Sequence, residues 1–363
     1  MKIAVICRRY HPEIGGVETH VKEIAERLAR KHEIIVFTLV ADKRFVGNES
    51  INGVNIRRFK SLRLSYSAEI PPRSLLKEVK DFKPDIVHSH NAHTSIPYFA
   101  SKINCDSKFL VTPHYQGNAT TAFRRILFIA YKRLLNSAMS KAHRIICVSS
   151  AEQDMLVDVF NIDHQKVRIV PNGVGNDLAS IIPESGRQDE LRILSVARFD
   201  LHHKKTDKLI KAFKILESQM DSKLILVGSG PDRREIVRMI KTLGLEEKIE
   251  LKSNLTREQL LREYAKASVF VTASEQEAFG IAVAEALAAK LKVVVPNSTA
   301  LSSFVKAGYA LGVEVPVTPE KVAEALTCCI QNTRQNVEYL PYTWDMAARD
   351  LEAVYEELNK ENF

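Results

Sequence analysis

Short runs of aliphatic and β-branched residues alternate with stretches of helical period along nearly the whole of this 363-residue chain. Residues 3–7 read as a strand. Residues 16–31 read as a helix with Val17, Val21, Ile24, Ala25 and Leu28 on one face. Strand-like runs recur at 33–39, 55–59, 85–90, 108–112 and 144–148, and in the second half at 192–196, 223–227, 267–272 and 292–296. A strand can reach a parallel neighbour only through a crossover, and helices of this length supply it, so the order demands parallel sheets covered on both faces. The chain is long enough for two cores of ordinary size. The expected fold class is therefore α/β, with two Rossmann-like domains facing a cleft, residues 1–171 and 172–342. The turn Pro171-Asn172-Gly173, or the polar stretch 183–190, is the hinge candidate.

Charge narrows the choice of partner. The net charge of +8 calls for something acidic: a nucleic acid, an anionic lipid or a phosphorylated substrate. The excess is concentrated, since residues 107–151 hold no Asp or Glu but include Lys108, Arg124, Arg125, Lys132, Arg133, Lys141 and Arg144. A basic helix over 121–141, with Phe123, Ile126, Leu127, Ala130 and Leu134 as its apolar stripe, can lie on an anionic membrane surface or be an ordinary domain helix. No aromatic stacking pattern or nucleic-acid motif accompanies the charge, so the reading is no nucleic acid. No apolar run reaches the roughly 20 residues needed to span a bilayer. The five cysteines form neither a CxxC pair nor a zinc spacing, and the start of the chain lacks a signal-peptide core. The expected location is the cytoplasm, with peripheral contact on the cytoplasmic face of a membrane.

The segment Glu277-Ala278-Phe279-Gly280-Ile281-Ala282-Val283-Ala284-Glu285 joins a strand end to a helix start, the place where α/β sheets bind ligands. The open N–H groups of a first helical turn favour an anion such as a diphosphate. Two carboxylates facing the same ligand require hydroxyl donors on it, which a sugar and a ribose offer. The competing reading is a capped helix with one incidental acid.

Four other features bear on chemistry. Arg198 and Lys204 follow the strand at 192–196 and are either a diphosphate clamp or solvated surface charge. Val227-Gly228-Ser229-Gly230-Pro231 is a tight strand-to-helix turn. It is not a dinucleotide fingerprint, because Arg233 stands where a third glycine belongs. Gly15-Gly16 opens the first helix and allows close backbone approach to a sugar or phosphate. His88 and His90 end one strand, with His93 just beyond, and His114 ends another. Three histidines as close as 88, 90 and 93 could hold a metal, but no second ligand cluster goes with them.

Taken together these segments resemble the family 4 retaining glycosyltransferases, nucleotide-sugar-dependent enzymes of the GT-B fold. The resemblance rests on Ser274 to Gly280 with Glu285-Ala286-Leu287-Ala288, on Ile193 to Phe199 with Lys204 and Leu209 to Phe213, and on Val227 to Pro231. It extends to Tyr10 to Glu18, Asp85 to His90, Thr112-Pro113-His114 and Val167 to Val174. Trp344 to Tyr355 resembles the family's last helix, which implies that residues 343–363 cross back to the first domain. The likeness implies an N-terminal acceptor-binding domain and a C-terminal nucleotide-sugar-binding domain.

The same likeness implies site roles. Glu277 holds donor-sugar hydroxyls, Glu285 the ribose, and Arg198 and Lys204 the diphosphate, with backbone at Phe279 and Gly280. Gly228 and Gly230 lie near the base, Gly15 and Gly16 border the donor, His114 contacts the transferred sugar, and His88 and His90 line the acceptor side. No cofactor and no metal are implied; the donor is a UDP- or GDP-sugar, and the acceptor a glycan or lipid-linked molecule.

Departures are visible. Ala197 and Lys205 stand where the family has glycines, and residues 297–305 lack the family's Gly-Gly and Glu. That loop is the support for an alternative: a non-catalytic relative that binds a nucleotide sugar or glycan.

Overall fold

The computed structural model describes residues 1–63, 69–103, 105–117, 122–178, 180–181, 191–331 and 337–361, with backbone alone for 122–130. The hinge candidate at 183–190 and the side chains of residues 122–130 in the basic helix therefore lie outside the described residues. The chain forms two compact units, one of Met1–Gly173 with Trp344–Phe363 and one of Val174–Thr343.

The first unit contains strands β1 (Lys2–Cys7), β2 (Glu33–Val40), β3 (Gly47–Ile51), β4 (Val54–Lys60), β5 (Leu62–Arg63), β6 (Glu69–Ile70), β7 (Ile86–His90), β8 (Lys108–Thr112), β9 (Arg144–Cys147) and β10 (Val167–Ile169). Helices α1 (Gly16–Leu28), α2 (Arg73–Phe82), α3 (Ile96–Ala100), α4 (Ala122–Lys141) and α5 (Ser150–Phe160) connect them. Eight strands form one sheet in the order β10-β9-β8-β7-β1-β2-β4-β3; β5 and β6 make a separate hairpin pair. Every pairing in the large sheet is parallel except β3 with β4 at the edge. β1 and β7 are apolar or buried on both faces, as a strand covered by helices on both sides must be.

The second unit contains β11 (Leu191–Val196), β12 (Ser222–Val227), β13 (Ile249–Lys252), β14 (Val269–Val271), β15 (Lys292–Pro296) and β16 (Leu311–Val313). Its helices are α6 (Leu201–Lys204), α7 (Thr206–Glu217), α8 (Arg233–Thr242), α9 (Arg257–Lys266), α10 (Ile281–Ala288), α11 (Leu301–Lys306) and α12 (Pro319–Gln331). The sheet is wholly parallel in the order β13-β12-β11-β14-β15-β16. One core, around Phe213, Leu224 and Leu326, fills one face; a second, around Phe270, Leu287 and Leu301, fills the other. The entry and exit segments of this unit run side by side, with Val174 N–H donating to the Tyr342 carbonyl at 2.9 Å.

The final helix, α13 (Trp344–Lys360), belongs to the first unit. Trp344, Ala347, Ala348, Leu351, Val354, Tyr355 and Leu358 repeat every three or four residues and bury one face. The opposite edge is pinned to α1 and the turn after it: Arg27 Nε donates to Asp345 at 2.8 Å, and Lys31 and His32 both meet Glu352 at 2.9 Å.

Candidate functional site

In the second unit the strand order turns back between β11 and β14. In a parallel sheet such a switch point, at the carboxyl ends of the strands, is where ligands bind. Arg198 and α6 follow β11; Glu277 follows β14. Lys204, the last residue of α6, places Nζ 2.5 Å from Glu277 Oε1, with the side chains 21% and 16% exposed. Two residues 73 apart in sequence thus meet as a half-buried ion pair at the switch point. Arg198 is exposed on the same loop.

The backbone around Glu277 is held by the departing loop at 297–305. Glu277 N–H donates to Thr299 Oγ1 at 3.1 Å, and Ser298 Oγ donates to the Glu275 carbonyl at 2.8 Å. The Ser298 hydroxyl donates to a carbonyl, which an ionised carboxylate in its place could not do. Gly280 caps α10 with φ 95°, a left-handed conformation that suits glycine. Its missing Cβ would lie 2.6 Å from Leu301 Cδ2. The N–H groups of Ile281 and Ala282 have no partner inside the helix. Phe279 rests edge-on against Phe304, ring centres 6.0 Å apart.

Glu285 sits one turn into α10 and engages a different cation. Its Oε1 accepts from Arg257 Nη1 at 2.7 Å and its Oε2 from the Tyr264 hydroxyl at 3.0 Å. Arg257 also grips Asp177 through Nε and Nη2, at 2.9 and 2.8 Å. Arg257 is the first residue of α9, whose start is set by a capping box of Thr256 and Gln259. The two acids of the 277–285 segment are therefore both paired, but not with each other's partner.

Gly228 and Gly230 act on the Arg198 loop. A Cβ on Gly228 would stand 1.9 Å from the Ala197 carbonyl, and one on Gly230 would stand 2.2 Å from that of Phe199. The Phe199 N–H donates to the Ser229 carbonyl at 2.9 Å, closing the two turns on each other. Lys205, standing where the family has glycine, adopts φ 50°, ψ 37°, which gives the family's glycine its reason. Its ammonium lies 3.6 Å from Glu275.

In the first unit the order turns back between β1 and β7. Gly15 precedes α1 and its carbonyl receives the Thr19 N–H at 2.8 Å; Gly16 is the helix's first residue. His90 ends β7, and His114 follows β8 with φ 50°. His90 Nδ1 and His114 Nε2 are 3.4 Å apart, and both side chains are buried. His20, on the buried face of α1, completes the group; its Nδ1 is 2.7 Å from Asn172 Oδ1. Burial pushes the His20 imidazole down to about 4, and burial with neighbouring rings pushes His90 and His114 well below the ordinary value.

The acceptor-side expectation for His88 needs correction. Its Nδ1 is 2.6 Å from the Tyr355 hydroxyl and its Nε2 2.7 Å from Thr112 Oγ1, and it is 1% exposed. Both nitrogens are taken by core partners, leaving none for a ligand. His93 also departs from the trio read from the sequence, stacking on Tyr115 with ring centres 5.6 Å apart.

Residues that the sequence reading passed over are His20, Asn172, Glu152, Arg257 and Tyr264. His20 had a signal: it falls three after Val17 and four before Ile24, inside the apolar stripe. Glu152 had one too, the Ser149-x-x-Glu152 pattern of a helix start. Its carboxylate instead accepts the Tyr115 and Val148 N–H groups at 2.5 and 2.6 Å, clamping the loop that carries His114.

Residues 14–177 match the family model for glycosyltransferase family 4, and residues 179–342 match that for glycosyl transferases group 1. The chain is a glycosyltransferase of the family 4 type. Among its relatives is an uncharacterized glycosyltransferase of Methanocaldococcus jannaschii, 27% identical over 98% of each chain. Another is the GDP-mannose:cellobiosyl-diphosphopolyprenol alpha-mannosyltransferase of Xanthomonas oryzae, 25% identical over 90% of this chain and 85% of that one. Sucrose-phosphate synthase from Thermosynechococcus elongatus superposes with a TM-score of 0.82 at 19% identity, covering 99% of this chain and 100% of that one. This glycosyltransferase thus has the GT-B fold. Among the described residues, no helix is long and apolar enough to cross a membrane.

Proposed function

We propose that the chain is a retaining hexosyltransferase that takes a nucleotide-diphosphate hexose, with UDP or GDP as the nucleotide, on its second unit. The acceptor, a lipid-linked or phosphorylated glycan, would be met by the first unit. The observation that carries the reading is the Lys204–Glu277 pair at the switch point of the second sheet. Without donor, each charge neutralises the other. With donor, the ammonium takes diphosphate oxygens and the carboxylate takes sugar hydroxyls, so the pair is already placed for both ends of the bond that breaks.

Arg198 and the N–H groups near Phe279 and Gly280 add donors where charge develops on the leaving diphosphate. Glu285 accepts the ribose hydroxyls while Arg257 holds it in place. His114 contacts the transferred sugar, Gly15 and Gly16 contact the donor, and His90 serves the acceptor side. Leaving-group stabilisation and acceptor positioning supply most of the rate, with no protein nucleophile.

A lipid-linked acceptor is supported by the mannosyltransferase relative, whose name gives a diphosphopolyprenol substrate. The basic helix α4 would then rest on an anionic membrane face. The second reading, a binding-only relative, draws on the acid-free loop at 297–305. A thermal-shift screen of UDP- and GDP-sugars identifies the donor. With a working donor and acceptor, Lys204→Ala is expected to lower turnover by roughly two to three decades; unchanged turnover refutes the clamp. Nucleotide binding with no turnover on any acceptor favours the second reading.

A further inference from the structure

We propose that His20, His90 and His114 form a site for one divalent zinc-class metal ion in the first unit. One ring nitrogen from each lies within 4.8 Å of the others, and all three side chains are buried. Three elements contribute: α1, the end of β7 and the loop after β8.

The donor set suits the ion in kind. It is all imidazole, with no carboxylate in the group, which selects zinc, cobalt or nickel over magnesium or calcium. It suits the ion in geometry as well. Two imidazoles on a tetrahedral zinc, each about 2.0–2.1 Å from it, place their nitrogens about 3.3–3.4 Å apart. His90 Nδ1 and His114 Nε2 already stand at 3.4 Å. His20 stands within 4.8 Å of the other two and completes the set by closing inward by up to about 1.4 Å. The fourth position stays open to water or an anion.

His20 supplies the independent observation. Its Nε2 is buried and has no hydrogen-bond partner. Asn172 Oδ1 can only accept, so the 2.7 Å contact fixes the proton on Nδ1 and leaves a bare lone pair on Nε2. An acceptor on the outer nitrogen of a metal-ligating histidine does the same work in established sites. A buried lone pair with nothing to receive is costly, and an ion removes that cost. The trio differs from the one suggested by sequence proximity: His88 and His93 are engaged elsewhere, and only His90 is common to both.

The full chain, stripped with a chelator, would be titrated with cobalt(II) and followed in the visible range. The expected result is one equivalent bound with the intense bands of four-coordinate cobalt, displaced by one equivalent of zinc. His20→Ala and His90→Ala should each abolish the bands, with circular dichroism and Trp344 emission showing that the fold is retained. A double change, His202→Ala with His203→Ala, should leave them. If the histidine variants do not fold, Asn172→Ala is the second measure, expected to weaken cobalt binding about 10- to 100-fold. Absence of binding, a six-coordinate spectrum, bands that survive His20→Ala, or wild-type affinity in Asn172→Ala would overturn the site. One consequence rests on the sugar-transfer reading: an ion on His114 should stop turnover. Turnover unaffected at full cobalt occupancy would count against His114 as a sugar contact and leave the metal site standing.

Discussion

Lowering the pH from 7.5 to 5.5 should cost the first unit about 3 kcal/mol of stability, and the cause is its buried histidines. His20, His88, His90 and His114 all have their pKa lowered, first by burial. An imidazole held neutral in the fold picks up a proton on unfolding once the pH falls below its ordinary value. Its contribution is therefore complete above about 6.5 and is lost as the pH drops toward about 4 for His20 and about 3 for His88. At pH 5.5 each such group costs between about 1 and 2 kcal/mol, and four cost about 5–6 kcal/mol. Glu152 works in the opposite sense. Burial pushes its carboxyl up to about 8 against the pull of two backbone N–H bonds, so its contribution is complete below about 4.5 and is lost as the pH rises through 8. Falling from pH 7.5 to 5.5 it returns about 2–3 kcal/mol, which leaves the net loss stated.

The sequence contains a single tryptophan, and Trp344 lies buried in the first unit with its ring centre 6.0 Å from that of His20. Urea titrations read by its emission at pH 7.5, 6.5 and 5.5 therefore report on this unit. Against a typical domain stability of about 5–15 kcal/mol the loss is large. Glu152→Gln should steepen it, because the opposing group is gone. A Trp344-detected free energy that changes by less than about 1 kcal/mol between pH 7.5 and 5.5 would refute the bookkeeping.

Other expectations concern the second unit. Gly230→Ala drives a methyl into the Phe199 backbone and should cost about 1–3 kcal/mol in thermal unfolding while weakening nucleotide binding in calorimetry; wild-type values for both would refute the packing argument. Lys205→Gly relieves the left-handed conformation and gives up only a long, partly exposed contact with Glu275, so stability should rise by up to about 1 kcal/mol; a fall would mean that the ion pair outweighs the backbone strain. Glu285→Gln removes a charged acceptor and should weaken nucleoside diphosphate binding about 10- to 100-fold, measured by calorimetry; unchanged affinity would remove Glu285 from the ribose site.

How much was legible in the sequence depended on whether the signal was local. The central strands announce themselves because burial on both faces makes them continuous apolar runs: β1, β2 and β12 fall within a residue or so of where the pattern puts them. Edge strand β3, Gly-Asn-Glu-Ser-Ile, is mostly exposed and carries no apolar alternation, so it could be found only from its pairing with β4. Strand β14 is shorter than its apolar run because pairing with β15 spans only Val269 to Val271, and with β11 only Val269 and Phe270. At the site, Lys204 and Glu277 could each be singled out, but their meeting depends on β11 lying beside β14. Arg257 and Asp177 were missed for the same reason, being brought to Glu285 by tertiary structure across 28 and more residues. His88 and His90 share one strand face and looked alike. Tyr355, from the far end of the chain, separates them by occupying one and not the other.

The last helix closes a circuit in the chain. Residues that seal the first unit, Trp344 through Leu358, leave the ribosome after every residue of the second. The part made first is thus the part finished last, and it must wait through the whole synthesis of its neighbour with α1 and the His88 ring uncovered. A nascent chain arrested just after residue 343 would hold a second unit able to complete its own core beside a first unit that is not. Any stop codon that removes this short tail would strike the half of the molecule farthest from it in sequence.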